Sequence, residues 1–347
     1  MHEITSPLFV TLACGLQGAG KSTIARALTG AGSDGTPFLG NHDVVEDFTL
    51  DLGQNLCDVA DDGQQGHVVV ELTPDVDPVE TALVLEAMFA SRPPSARSVQ
   101  LREIVVAASA GEIRTHFFGD KEIAADDYET GERLARQLEI ASTVVMTHTE
   151  AIPQQKIAEA VALAARLNPL ARLVVTSQPL AAGSMSMRPL RPRVSMGQEM
   201  GWMKELAGTA GPPRSTEGIS VVVFRDPRPF HPGRLAEVIA HHLVPDIVGQ
   251  ILRSRGLTRL ASRPGIVGSW STTGGVFALD PTGMASWDPD SPVGQELVFF
   301  GKDLRPNALV AVLATALLDS AEIVAGPTEW AAYPDEFPSW EADTHRH

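Results

Sequence analysis

Apolar positions fall in two patterns along this chain. Up to about residue 180, short unbroken runs alternate with stretches of helical period. Residues 8–14 (LFVTLAC), 67–72 (HVVVEL), 103–108 (EIVVAA), 144–146 (VVM) and 172–176 (RLVVT) have the length and continuity of buried strands. Between them the spacing predicts a helix from Ser22 to about Leu28, stopped by Gly30. Pro78 opens another, on which Ala82, Leu83, Leu85, Met88 and Phe89 lie near one face. Residues 127–142 form a third, with Leu134, Leu138 and Ala141 aligned, and 153–167 a fourth, closed by Asn168-Pro169. Strands apolar on both faces that alternate with helices predict an α/β domain with a mainly parallel sheet, here over residues 1–180.

The pattern breaks over 181–218, a stretch with Pro189, Pro192, Pro212 and Pro213, which reads as a linker with one short helix around 196–207. From 219 the order changes. Strand 219–224 leads to helix 232–243, then to strand-like stretches near 251–262, 266–272 and 275–280, strand 295–300 and helix 306–319. This predicts a smaller α+β domain over 219–325 with a mainly antiparallel sheet. Residues 326–347 form an acidic tail with Trp330 and Trp340, expected to lie across the surface.

Length and charge narrow the function. The chain has 347 residues, enough for two domains with real cores. A net charge of −16 argues against a nucleic-acid-coating protein, which needs a positive field, while leaving room for an anion in a local pocket. Two cysteines, Cys14 and Cys57, make neither a disulfide scaffold nor a four-cysteine zinc site. The opening MHEITSPLFVTLAC reads as a first strand, and no apolar run approaches the roughly 20 residues of a membrane helix. The expectation is a cytoplasmic protein without membrane or nucleic-acid partners.

Gly15-Leu16-Gln17-Gly18-Ala19-Gly20-Lys21-Ser22 fits G-x-x-x-x-G-K-[ST] between a predicted strand and a predicted helix, the context a phosphate-binding loop requires. Gly15, Gly18, Ala19, Gly20 and Thr23 would turn backbone N–H groups toward phosphate oxygens. Lys21 would reach the β- and γ-phosphates and Ser22 would ligate Mg²⁺. A second acidic ligand is expected at a neighbouring strand end. Glu71 is the leading candidate, to hold Mg²⁺ through water or to position the attacking water; Asp75 and Asp77 are its rivals.

Further motifs recur in order. Glu71-Leu72-Thr73-Pro74-Asp75-Val76-Asp77-Pro78, Gln137-Leu138-Glu139-Ile140-Ala141, Leu167-Asn168-Pro169-Leu170-Ala171, Phe224-Arg225 with Arg228-Pro229-Phe230-His231-Pro232, Arg255-Gly256 with Leu260-Ala261-Ser262-Arg263-Pro264, and Gln295-Glu296-Leu297-Val298-Phe299-Phe300-Gly301 follow the GLQGAGKST run. Together they resemble the CobW-like GTPases, relatives of the nickel-accessory GTPases, along nearly the whole chain. The resemblance implies GTP binding and hydrolysis with Mg²⁺, coupled to handling of zinc or cobalt. It implies a switch or metallochaperone whose C-terminal domain recognises a metalloprotein client, and whose segment between 31 and 60 relaxes on hydrolysis.

Two family motifs are altered. The C-x-C-C metal motif is missing, and in one register its cysteine positions become Leu56, Asp58 and Val59. Cys57 is a weak transition-metal candidate, with His42 or His67, or else an ordinary buried thiol. The family's guanine-reading N-K-x-D is replaced by Thr147-His148-Thr149-Glu150. Glu150 still offers a carboxylate to guanine N–H groups, but Thr147 cannot copy an amide, which leaves ATP as a rival to GTP. Pro74 replaces a mobile glycine, and Ala107-Ala108 follow the Val-Val strand where the family has Asp. These changes point either to altered activity or to a degenerate paralogue that binds nucleotide as a metal-independent regulatory or assembly factor. An unrelated P-loop kinase lacks any acceptor-site feature in the sequence.

Other groups read more simply. His231 suits a capping or packing role at a helix start, or a metal or partner contact. His241 and His242 point about 100° apart on a helix and are read as surface. Met196, Met200 and Met203 have the spacing of a packed helix face rather than of Cu(I) ligands. Arg188, Arg191 and Arg193 are a solvated linker or a contact for an acidic partner; His345 and His347 belong to the terminal tail.

Overall fold

A computed structural model describes residues 7–29, 38–39, 48–63, 66–121, 128–177, 200–211 and 217–340. The chain divides into two compact units, Met1–Thr115 with Ile123–Gly201, and His116–Glu122 with Trp202–His347.

The first unit follows β1 (Leu8–Gly15), α1 (Lys21–Thr29), β2 (Phe38–Leu39), α2 (Phe48–Asp61), β3 (Gly66–Glu71), α3 (Pro78–Ala90), β4 (Val99–Ser109), α4 (Ala110–Phe118, up to Thr115), α5 (Tyr128–Ile140), β5 (Thr143–Thr147), α6 (Gln154–Leu167) and β6 (Arg172–Val175). Its six strands lie in the order β2-β3-β1-β4-β5-β6, and every pairing is parallel. All strands therefore end at one edge, and the order reverses about β1. Helix α1 packs through Ile24 and Ala27 on Val105, Ala107 and Val145, and through Ala25 on Ala13 and Val69. Small side chains at these contacts bring the helix, and the loop before it, close to the sheet.

Two helices of this unit escape the sequence pattern. Helix α2 contains Gly53, a poor helix residue. A Cβ there would lie 2.5 Å from Met88 Sδ and 3.2 Å from Leu85 Cδ2, so the glycine is what the α2–α3 contact requires. In α4 the buried apolar positions Ala110, Ile113 and Phe117 span barely two turns, too short to stand out. Strand β4 is also longer than expected, because Val99–Leu101 pair with Leu8–Val10 ahead of a register break.

The second unit holds α7 (Gly201–Ala207, from Trp202 onward), β7 (Ile219–Asp226), α8 (Pro232–His241), α9 (Pro245–Val248), β8 (Gln250–Thr258), β9 (Ile266–Thr273), β10 (Val276–Ala285), β11 (Gln295–Lys302), α10 (Pro306–Thr315), α11 (Ser320–Ala325) and α12 (Pro327–Trp330). Five antiparallel strands lie in the order β10-β9-β8-β11-β7. Rings fill the core. Trp270 is fully buried, 4.8 Å from Phe277, 6.1 Å from Phe299 and 6.3 Å from Phe230 between ring centres, and it donates to Ser254 Oγ at 2.7 Å. All five tryptophans belong to this unit.

The predicted helix 306–319 stops at Thr315, and Asp319 starts α11 with a capping box to Glu322. Residues 326–340 are exposed or half-buried throughout and are anchored at particular side chains. Trp340 donates to Leu279 O at 3.0 Å under the Arg263 guanidinium, 4.4 Å from its ring, and Asp335 pairs with Arg263 at 2.8 Å. The helix expected around 196–207 is α7; Met196, Met185, Met187, Arg188, Arg191, Arg193, His345 and His347 lie outside the described residues.

Candidate functional site

The turn from β1 to α1 sits where the strand order reverses. Gly15, Gly18 and Gly20 have φ of 148°, 79° and 97°. At Gly15 the requirement is also steric, since a Cβ would lie 2.5 Å from the Ala107 carbonyl oxygen on β4. Only glycine meets both conditions. The loop then enters α1 with Lys21 as its first residue, so the N-terminal N–H groups of that helix lie beside the turn.

Lys21 is buried, and its Nζ donates to the loop's own carbonyls, Gly15 O at 2.9 Å and Leu16 O at 3.1 Å. Burial pushes its pKa down, and Glu71, Cys14, Glu112 and Asp75 oppose that shift. Ser22 Oγ donates to Glu71 Oε1 at 2.8 Å, across 49 residues of chain. Glu71 ends β3, buried, and Leu72 N binds Ala13 O at 2.9 Å, which fixes the strand end beside β1. A hydroxyl and a carboxylate in contact beside a helix N-terminus are hard oxygen donors, a set that suits Mg²⁺.

The two rival carboxylates are engaged elsewhere. Asp77 caps α3, accepting from Val79 N at 2.7 Å, and pairs with Arg136 at 3.0 Å. Asp75 is exposed and pairs with Arg133 at 2.9 Å. Glu112, in the first turn of α4, is a neighbour of Lys21 that the sequence reading missed along with its helix.

At the end of β5, Thr147 Oγ1 donates to Ala19 O at 2.8 Å and ties the strand to the loop. The hydroxyl hydrogen is thereby committed within the protein. His148 follows with φ of 52°, the left-handed region that a histidine seldom adopts. Thr149 is buried and donates to Thr176 O at 3.2 Å, whereas His148 and Glu150 are exposed. Of the four residues in this segment, the carboxylate of Glu150 and the ring of His148 face outward to solvent.

The metal candidates do not come together. Among the described residues no group of three His, Cys, Asp or Glu side chains is arranged to hold an ion. Cys57 is buried in α2 near the Arg92 guanidinium, a cationic neighbour that disfavours another cation. His67 lies on β3 with Nε2 2.8 Å from Thr11 Oγ1, and burial near Arg102 pushes its pKa down to about 4. His42 lies outside the described residues. Cys14 is sealed in the core, where burial raises its thiol to about 12. In the second unit His231 caps α8, accepting from Arg234 N at 3.4 Å, and stacks on Tyr333 with ring centres 4.6 Å apart.

Comparison with known proteins adds three findings. Residues 219–317 match the family described as the cobalamin synthesis protein cobW C-terminal domain. Over 249 residues the chain is 26% identical to zinc-regulated GTPase metalloprotein activator 1 of Dictyostelium discoideum, a match covering 62% of this chain and 50% of that protein. The chain thus spans about half the length of that relative. Among solved structures, the Zn(II)-bound YjiA GTPase from E. coli is similar at 18% identity with a TM-score of 0.35, and a Zn(II)-bound triple mutant YjiA GTPase at 16% with 0.37. Each covers 90% of this chain and 100% of its own.

Proposed function

We propose that this chain, a P-loop-type α/β unit followed by residues that match the CobW C-terminal domain, is a divergent CobW-like protein that binds and hydrolyses a nucleoside triphosphate, GTP by preference, as a switch in zinc or cobalt handling. The observation that carries this reading is the 2.8 Å contact of Ser22 with Glu71 beside the positive-φ glycines of the loop.

In this reading the loop N–H groups and the start of α1 hold the phosphate oxygens. Lys21 exchanges its two carbonyl partners for phosphate oxygens, a trade of neutral acceptors for anionic ones that strengthens each hydrogen bond. Ser22 and Glu71 would hold Mg²⁺, which when bound neutralises charge between the β- and γ-phosphates. Glu71 orients the water that attacks the γ-phosphorus; the bond to the β,γ-bridging oxygen breaks, giving a nucleoside diphosphate and phosphate. Glu150 accepts from guanine N–H groups, and Thr147 keeps the strand that carries it in register with the loop. A metalloprotein client would dock on the C-terminal domain.

The test is hydrolysis of GTP and ATP with Mg²⁺, with and without stoichiometric Zn²⁺, beside Lys21→Ala. GTP-selective turnover that responds to Zn²⁺ and disappears in the variant is the expected result. Nucleotide binding without a Zn²⁺ response would give the metal-independent regulator instead, and no binding at all would sink both.

A further inference from the structure

The second unit carries a seat for one indole ring. Trp340 lies against Gly268 on β9, where a Cβ would come 2.6 Å from the ring, so a side chain at 268 would close the seat. The Arg263 guanidinium lies over the ring, 4.4 Å from its centre, and Leu279 O on β10 accepts from Nε1 at 3.0 Å. Beside it Phe337 meets Phe277, with ring centres 6.1 Å apart. Asp335 accepts from Arg263 Nε at 2.8 Å and from Ser262 Oγ at 2.5 Å. One carboxylate and two rings, spaced Asp-x-Phe-x-x-Trp, are thus each met by groups suited to them.

Seat and occupant come from different parts of the chain. Ser262, Arg263, Gly268, Phe277 and Leu279 fall inside residues 219–317, the stretch that matches the cobW C-terminal domain, and residues 335–340 fall outside it. The hold on the occupant is light. From Ala331 to Trp340 every residue is exposed or half-buried and none is in a helix or strand. Trp330 donates to Glu322 O and Tyr333 stacks on His231, so the tail leaves its anchorage at Pro334 and reaches the seat from there.

The tail also leaves part of Arg263 unused. Nε serves Asp335 and Nη2 donates to Phe337 O at 3.0 Å, whereas Nη1 is buried with no acceptor among the described residues. A buried donor without an acceptor is a cost that a better-fitting segment relieves. Against that, the tail acts from a short tether, at an effective concentration on the order of millimolar. A rival from another molecule therefore enters only if it binds better than the tail does.

We propose that this seat is a peptide-binding site, closed here by the chain's own residues 335–340, and that it opens to an acidic, aromatic segment of a partner protein with the Asp-x-Phe-x-x-Trp spacing and one further acceptor for Arg263 Nη1. The proposal does not depend on the nucleotide reading. Fluorescence anisotropy of a dye-labelled, C-terminally amidated peptide of residues 334–340, titrated with the full chain, tests it. The chain with Trp340→Ala, whose seat is vacated, should bind the peptide at least about tenfold more tightly than the unaltered chain, where the tail competes. A peptide carrying Trp340→Ala should not bind, and adding Arg263→Glu to the vacated chain should abolish binding. No binding to the vacated chain, with its circular dichroism spectrum unchanged, overturns the proposal and makes the tail a structural strap. Equal binding to both chains, or binding that survives Arg263→Glu, overturns it too, because the peptide then sits elsewhere. Should Trp340→Ala change the spectrum, Asp335→Asn, which loosens the tail at its ion pair, takes its place; a gain in peptide affinity supports the proposal and no gain overturns it.

Discussion

The parallel sheet of the first unit is lined by alanines and valines where α1 meets it and carries Glu71 and Thr147 at its loop end, whereas the antiparallel sheet of the second is filled by rings and flanked by arginines locked to carboxylates. At the loop, Lys21 rests on carbonyl oxygens and Ser22 on a single carboxylate oxygen. Such contacts can be exchanged for a ligand's oxygens at little cost. Around Trp270, by contrast, three rings and a buried hydrogen bond leave nothing to exchange. The contrast separates a surface arranged for exchange from a core arranged for permanence.

The largest effect should come from the core. Trp270→Ala removes a fully buried ring and should cost about 3–5 kcal/mol, read as a lower urea midpoint for protection of the second unit in hydrogen exchange. Nucleotide affinity should hold, and a parallel loss would break the separation. Next, Lys21→Ala should lower turnover by about 10²–10³-fold while leaving the urea midpoint of either unit nearly unchanged. A large stability loss there would show that the loop is structural.

Acid should divide the units. His67, held down near 4, is neutral in the fold, so its contribution is complete above pH 6.5 and is lost as pH falls from 6.5 toward 4. Glu322 is held down to about 2, first by hydrogen bonds from Arg234, so its contribution is present above pH 4.5 and is lost as pH falls through 2. Hydrogen exchange across this range should therefore show the first unit loosening before the second. His67→Gln should flatten the earlier limb and Glu322→Gln the later one. The smallest effect is expected for Thr147→Val, about 0.5–1.5 kcal/mol of lost anchoring at Ala19, seen as weaker binding of nucleotide with the melting point little changed.

Much of this was legible in the sequence because it is local. The loop is eight consecutive residues between a strand and a helix, and Pro78 behind Asp77 already marks a helix start. The strand end already made Glu71 the leading candidate over Asp75, but the partners of the two were not local, since Arg133 lies 58 residues from Asp75 and the Ser22 hydroxyl 49 residues before Glu71. Helix α2 was hidden by Gly53, whose reason is a methionine on another helix. The anchoring of Trp340 was hidden by acidic neighbours that read as solvent-facing, although one of them, Asp335, is the partner of Arg263.

The confinement of all five tryptophans to the second unit makes the molecule optically one-sided. Indole emission therefore comes from the second unit alone. A dye-bearing nucleotide that accepts indole emission would draw any energy it receives from the second unit alone, a readout for the nucleotide binding proposed above.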